Sequence, residues 1–384
     1  MKDRDQNMAP AGSVVTFITG HYYPSPRRAG FHNLADAAHR QGCKVNFVTV
    51  GFSLLSYLRR DYRTKIAGLR ANLNRPLEIK PGFISYVHFT PWHPHNLVLP
   101  GLNRLTRPLM DRYGEGGLGL LLPLVKETDI FVFESMSGLF LFKRFRRENP
   151  PARTVYRVSD DLRILRSTHP RLLELEKEIA PDFDCVSVPS AWMLNLFPGL
   201  PALRLDRHGL DKKAYEACLV SPYPQGSKNA VFVSTWGLDF PFLRAASEGN
   251  ADCFFHIFGP FVRSFSRPNL RFYGETPFAG TIPYVRHADV GLHCIAYRNE
   301  HSRCFSDALK VIQYRYCGLP IVAPDFLDLR RDGVFSYRPN EAQSCVGAVR
   351  AALACGRDAE RAREVRSWDE VFQGLVAAAQ GAGA

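Results

Sequence analysis

Short apolar runs alternate with amphipathic stretches along most of the chain. Val14–Thr19 is an apolar run stopped by Gly20. After a polar loop, residues 31–40 place apolar side chains at helical spacing. Gly42 then stops that helix, and residues 44–50 are apolar again. Strand, loop, helix, strand is the opening of a βαβ unit. Further strands are predicted at 129–134, 154–158 and 184–188, with Ser190 capping a helix through Leu196 and a short helix at 212–218. A Pro- and Ser-rich loop at 221–227 precedes a second series of strands at 230–234, 254–258, 270–273 and 289–295. The pattern predicts two Rossmann-like α/β domains, 1–215 and 216–384, with a final helix opening at Ser367-Trp368-Asp369.

The second domain's most informative stretch is Cys304–Pro324. Ser306 or Asp307 suits an N-cap, and Leu309, Ile312 and Tyr316 recur at helical spacing. Gly318 and Pro320 end the helix, and Ile321-Val322 form a short buried strand. Such a helix N-terminus presents free amides and partial positive charge, which suits a diphosphate. Lys310, one turn inside, is placed to reach the same anion, although a surface lysine on an ordinary helix gives the same pattern.

In an open parallel sheet, function gathers at the C-terminal strand ends. After the first strand this points to His21 through Arg28, which reads equally as a solvated basic loop. After the 154–158 strand come Ser159-Asp160-Asp161. One aspartate suits a general base for a hydroxyl and the other a helix cap.

Composition narrows the partners. A formal charge of +12 over 384 residues implies an anionic partner. No zinc-finger or RNA-binding signature accompanies it, so nucleic acid is not expected. Nine scattered cysteines without a CxxC pair suit reduced thiols in a cytosol. The polar first thirteen residues do not resemble a signal peptide, and the longest apolar run, 118–125, is too short to span a bilayer. Residues 52–75 interleave leucines and aromatics with arginines, and 89–100 are apolar and proline-broken. Both suit packing on a core, and both suit docking on an anionic membrane surface. His93 and His95 have no nearby carboxylate or cysteine partner, and no cluster has metal-ligand spacing, so no metal is expected.

Asp307-Ala308-Leu309-Lys310, Gln313-Tyr314 and Cys317-Gly318-Leu319-Pro320-Ile321-Val322 resemble the donor-site signature of GT-B glycosyltransferases, with Gln313 where a glutamate is usual. With the Gly20-His21 … Arg27-Arg28-Ala29-Gly30 loop and the strand-end aspartate, the chain is similar to the GumK-like glucuronosyltransferases, glycosyltransferase family seventy, from about Val14 to Leu375. The resemblance implies two Rossmann-like domains facing across a cleft, with the C-terminal helix crossing back to the first. It implies an inverting, metal-independent transfer of glucuronate from UDP-glucuronate to a polyprenyl-diphosphate-linked oligosaccharide in exopolysaccharide synthesis. The enzyme would sit peripherally on the cytoplasmic face of the inner membrane.

By the same resemblance Asp160 is the base and Lys310 stabilises departing UDP. Trp236, Glu275, Tyr297, Ser306, Asp307, Leu309 and Gln313 form the donor pocket, while His21, Arg27, Arg28 and Asp161 lie on the acceptor side. No cofactor is implied beyond the UDP-sugar substrate. Another UDP- or GDP-sugar donor, or a non-catalytic basic peripheral-membrane protein, are the alternatives.

Overall fold

The computed structural model describes residues 12–262 and 264–381. Residues 1–11, most of the opening segment expected not to be a signal peptide, lie outside it. The chain divides into two compact units. One comprises the residues up to Arg207 together with those from Trp368, and the other is His208–Ser367.

The first unit holds strands β1 (Val14–Thr19), β2 (Lys44–Ser53), β3 (Leu77–Lys80), β4 (Phe83–Thr90), β5 (Ile130–Glu134), β6 (Arg153–Arg157), β7 (Cys185–Val188) and β8 (Leu203–Leu205). Their order is β3-β4-β2-β1-β5-β6-β7-β8. All pairs are parallel except β3 with β4. The chain builds outward from β1 to β4 and then returns to β5 on the other side of β1. The carboxyl ends of β1 and β5 are therefore the switch point, where an open sheet leaves a crevice. β1 reads VVTFIT because both of its faces are covered, and its residues are almost entirely buried.

Phe17 on β1 meets Phe31 edge-on at 6.2 Å and Phe372 at 6.5 Å. Phe372 belongs to the last helix, Trp368–Ala379, which also receives two hydrogen bonds from Arg40 on Asp369, at 2.7 and 3.2 Å. The final helix thus packs into the first unit, as expected of a chain that crosses back.

The second unit holds β9 (Lys228–Val233), β10 (Cys253–Phe258), β11 (Leu270–Gly274), β12 (Val290–Leu292), β13 (Ile321–Pro324) and β14 (Val334–Tyr337). The order β11-β10-β9-β12-β13-β14 is parallel throughout, with its switch between β9 and β12. Tyr314 holds that junction. Its buried hydroxyl lies 3.1 Å from the carbonyl of Val231 on β9 and 3.2 Å from that of Leu292 on β12.

Four features depart from the sequence reading. The second unit starts at His208, before Tyr215, because the Leu210 amide donates to Arg366 O (3.0 Å) and Tyr215 is buried in the second core. The strands β3, β4, β8 and β14 were not expected. In the 52–75 stretch, Phe52 and Leu69 turn inward to pack with Tyr22 and Val87, so only part of that segment faces outward. Finally, the helix expected from Ser306 or Asp307 begins at Leu309, after a tight 3-10 segment, Glu300–Asp307.

Candidate active site

In the first unit the C-terminal strand ends gather an acid–base cluster. β1 delivers Gly20 and His21, β5 delivers Glu134 and Ser135, and the loop after β6 delivers Asp160. Ser135 Oγ accepts from the amides of both Ser159 and Asp160 at 3.1 Å, fixing the loop. Asp160 is half-buried, and its carboxylate takes no hydrogen bond from any described residue. Burial, then the negative charge of Glu134, raise its pKa to about 6, with His21 opposing them.

Asp161 is fully buried and already engaged. Its Oδ1 accepts from the amide (3.0 Å) and guanidinium (2.8 Å) of Arg163, capping the turn that follows. Asp160 is therefore the aspartate left available for chemistry.

Glu134 was missed in the sequence, although a carboxylate ending an apolar parallel strand is the same signal that marked Asp160. It is 3% exposed. Its Oε2 accepts from Thr19 Oγ1 and from the Gly20 amide (3.3 Å), and its Oε1 lies 3.5 Å from His21 Nε2. Burial pushes its pKa up, but His21 and the hydroxyls of Thr19 and Ser159 bring it below the ordinary glutamate value. For His21, burial opposes the charged form, yet Glu134 and then Asp160 leave its pKa raised.

Beside this cluster opens a cavity of ≈ 370 Å³, lined among others by His21, Ser135, Arg59, Arg63, His93 and His169. Arg63 clamps one wall, donating to the carbonyls of Gly20 (2.7 Å) and Gly51 (2.8 Å) and pairing with Asp61 (2.7 Å). Burial lowers His93 to about 4, and its Nδ1 lies 2.7 Å from Ser53 Oγ. Arg27 and Arg28 do not line the cavity. Arg28 is held by Asp36 and stacks on Tyr23, while Arg27 stacks on Tyr62 at 4.6 Å. Among the described residues no three His, Cys, Asp or Glu side chains are grouped as metal ligands.

In the second unit the switch point between β9 and β12 is faced by the 309–316 helix. Lys310 lies over the Phe232 ring of β9, its Nζ 4.3 Å from the centroid. Burial lowers its pKa to about 8, with only the Cys294 thiol opposing, and no described carboxylate pairs with it. An ammonium kept without a counter-ion at the carboxyl edge of a parallel sheet is a site for an anion.

Around it, Trp236 in the turn after β9 packs edge-on against Phe305 at 4.5 Å and carries the Arg298 guanidinium over its ring at 4.9 Å. Gln313 is buried beneath the helix with its Oε1 unpaired. Leu309 opens the helix and is half-buried. Ser306 and Asp307 are buried in the preceding 3-10 segment rather than capping the helix, and Asp307 pairs with Arg331 at 2.6 Å. Because its carboxylate answers Arg331, Asp307 serves the fold. Glu275 is exposed after the edge strand β11, and Tyr297 is exposed with its ring 5.1 Å from Phe326. Arg298 and Arg331 had no motif to announce them.

Two parallel Rossmann-type units, one with a poised carboxylate and one with a solitary cation, define a glycosyltransferase of GT-B fold. The fold recurs in an α,α-trehalose-phosphate synthase (UDP-forming) from Burkholderia xenovorans, with TM-score 0.62 and 13% identity over 96% of this chain and 100% of that one. It recurs also in HepE of Anabaena, solved with UDP and glucose, with TM-score 0.54 and 13% identity over 94% of each chain. More particularly, the chain is similar to the GumK glucuronosyltransferases. Residues 17–189 match the model of the glucuronosyltransferase GumK N-terminal domain. Over 368 residues, 94% of this chain and 90% of the relative, it is 27% identical to the UDP-glucuronate:glycolipid 2-beta-glucuronosyltransferase of Xanthomonas campestris pv. campestris.

Proposed function

We propose that this enzyme transfers glucuronate from UDP-glucuronate to a hydroxyl of a polyprenyl-diphosphate-linked oligosaccharide, with inversion, in exopolysaccharide synthesis. The observation that carries the reading is Lys310, a cation without a counter-ion, facing the switch point of the second unit. Lys310 and the start of its helix answer the diphosphate of the donor, and Trp236 and Gln313 bound the nucleotide pocket. Asp160 takes the proton of the acceptor hydroxyl. The oxygen attacks the anomeric carbon, and the bond to UDP breaks with its electron pair on the diphosphate. Charge grows on that group as the bond breaks, so Lys310 is worth most in the transition state. A cation already stands where a metal would otherwise balance the leaving group, and the reaction proposed is metal-independent.

The acceptor's lipid motivates the surface of the first unit. Leu58 (82% exposed), Val98 (77%) and Leu105 (75%) project outward, and Arg59, Arg60 and Arg104 are exposed beside them in sequence. Among the described residues no helix is long and apolar enough to cross a membrane. Peripheral docking on anionic lipid, at the cytoplasmic face, is the arrangement proposed, with no nucleic-acid partner.

The deciding experiment measures UDP release and product formation with UDP-glucuronate, UDP-glucose and GDP-mannose, each with and without a lipid-linked glycan and with and without chelator. Acceptor-dependent release from UDP-glucuronate, unaffected by chelator, is expected. Release from another donor only would replace the sugar. No release from any would leave the fold without the activity.

A further inference from the structure

The carboxylate of Glu134 is a costly thing to keep. It is almost fully buried at the end of β5, and a glutamine would satisfy Thr19 Oγ1 and the Gly20 amide as well. A charge persists in such a place when an opposite charge answers it. Arg63 is nearby, but its guanidinium is already shared among Asp61 and the carbonyls of Gly20, Val50 and Gly51. The group that does face Glu134 is His21, at 3.5 Å and half-buried on the cavity wall.

We propose that Glu134 and His21 are positioning residues for the transfer: Glu134 holds His21 as an imidazolium, and that imidazolium keeps Asp160 ionised to receive the acceptor's proton. This rests on the glycosyltransferase reading given above. The proton balance is simple. The acceptor O–H gives its proton to the Asp160 carboxylate, the oxygen bonds the anomeric carbon, and UDP leaves with the bonding electrons. His21 and Glu134 end the step in the protonation states in which they began it.

The electrostatics agree in sign. His21 is faced by Glu134 from β5, Asp160 from the loop after β6, Arg63 from the 62–65 turn and His32 from the 30–40 helix. Burial holds His32 near a pKa of about 4, so it adds no charge. Asp160 is faced by Glu134 and Asp161, whose charges disfavour its ionised form, and by His21, the one group that favours it, so the imidazolium offsets the carboxylate that holds it. The working state is thus carboxylate, imidazolium, carboxylate in sequence, with the outer carboxylate as the base.

The test is the pH profile of transfer for the wild type, His21→Asn and Glu134→Gln, with UDP affinity and thermal unfolding measured on the same samples. The wild type is expected to be bell-shaped, with its acid limb set by Asp160 and its alkaline limb by Lys310. His21→Asn should move the acid limb upward, lower transfer on the acid side about tenfold per unit moved, and leave the alkaline limb in place. Glu134→Gln should lower the pH at which the His21 ring itself titrates, read by NMR. UDP affinity should be unchanged in both.

An acid limb of His21→Asn that coincides with the wild type, or a uniform loss at every pH, would overturn the proposal and leave the glycosyltransferase reading intact. Absence of transfer by the wild type itself would overturn both. Should Glu134→Gln unfold, His21→Asn decides alone.

Discussion

Tyr314 lies against Gly291 so closely that a β-carbon on the glycine would sit 2.4 Å from Tyr314 Cγ and 2.5 Å from Cδ2. The tyrosine can therefore seat its ring on β12 and reach the carbonyls of both strands at the switch point. Gly291→Ala should displace the helix that carries Lys310. An overpacked site of this kind costs roughly 1–3 kcal/mol. Thermal unfolding should show that loss, and UDP affinity should fall with it. Tyr314→Phe keeps the shape and loses the hydrogen bond, costing about 1–2 kcal/mol. If Gly291→Ala binds UDP like the wild type, the junction does not position the donor helix.

Asp160 should trade stability for activity. Folding raises its pKa to about 6 from the ordinary 3.8, so the folded state binds more protons between those values. Stability from this group is fully present below the unfolded pKa and is lost as pH rises through about 6. At neutral pH the ionised carboxylate is a strain, on the order of 1–2 kcal/mol after allowing for solvent at a half-buried group. Asp160→Asn is expected to unfold at a higher temperature at pH 7 while turnover falls on the order of a hundred- to ten-thousandfold. Activity of the wild type should decline as pH drops below about 6. Retained turnover in the asparagine variant would remove Asp160 as the base.

Much of this architecture was legible because strands of a parallel sheet are continuous apolar runs and their stops are glycines. The Val14–Thr19 and Ile321-Val322 strands were read from that signal, and the final helix from its Ser367-Trp368-Asp369 opening. Asp160 was visible because it follows such a run directly. Glu134 was hidden by being the run's last residue, where a strand end and a site residue coincide. Arg63 was hidden by its neighbours, since a basic stretch read as a surface contains one arginine that turns inward to hold three carbonyls. Ser306 and Asp307 misled for a physical reason. Both are good caps, but Asp307 is drawn into an ion pair with Arg331, which the fold rather than any local pattern brings to it.

The outward leucines allow a direct test of membrane docking. Replacing Leu58, Val98 and Leu105 together by serine should weaken binding to anionic vesicles, because each apolar side chain fully buried in lipid contributes roughly 1.5–3 kcal/mol. Reversing Arg60 and Arg104 to glutamate should weaken it further and flatten its salt dependence, at about 1 kcal/mol per basic residue. Transfer to a soluble acceptor analogue should survive in both variants. Binding that ignores the leucines, the arginines and salt alike would leave this surface without a role.

Lys310 is the residue on which donor chemistry turns. Folding lowers its pKa from 10.5 to about 8, chiefly through burial. The free enzyme therefore carries a penalty for the charged form: stability from this group is fully present above about 10.5 and is lost as pH falls from there through about 8. Lys310→Met should raise the unfolding temperature of the free protein at pH 7. Bound diphosphate reverses the balance, because a nearby anion favours the ammonium and raises its pKa. The wild type should accordingly take up a fraction of a proton when it binds UDP at pH 8, and the methionine variant should not; titration calorimetry in two buffers of different ionisation enthalpy measures this. Turnover should fall further than donor affinity, since the charge on the leaving group is greatest as the bond breaks. Lys310→Arg should restore part of the affinity and little of the turnover, because a planar guanidinium does not fit a site shaped for a compact ammonium over Phe232. A methionine variant with unchanged proton uptake and unchanged turnover would place the anion elsewhere in the second unit.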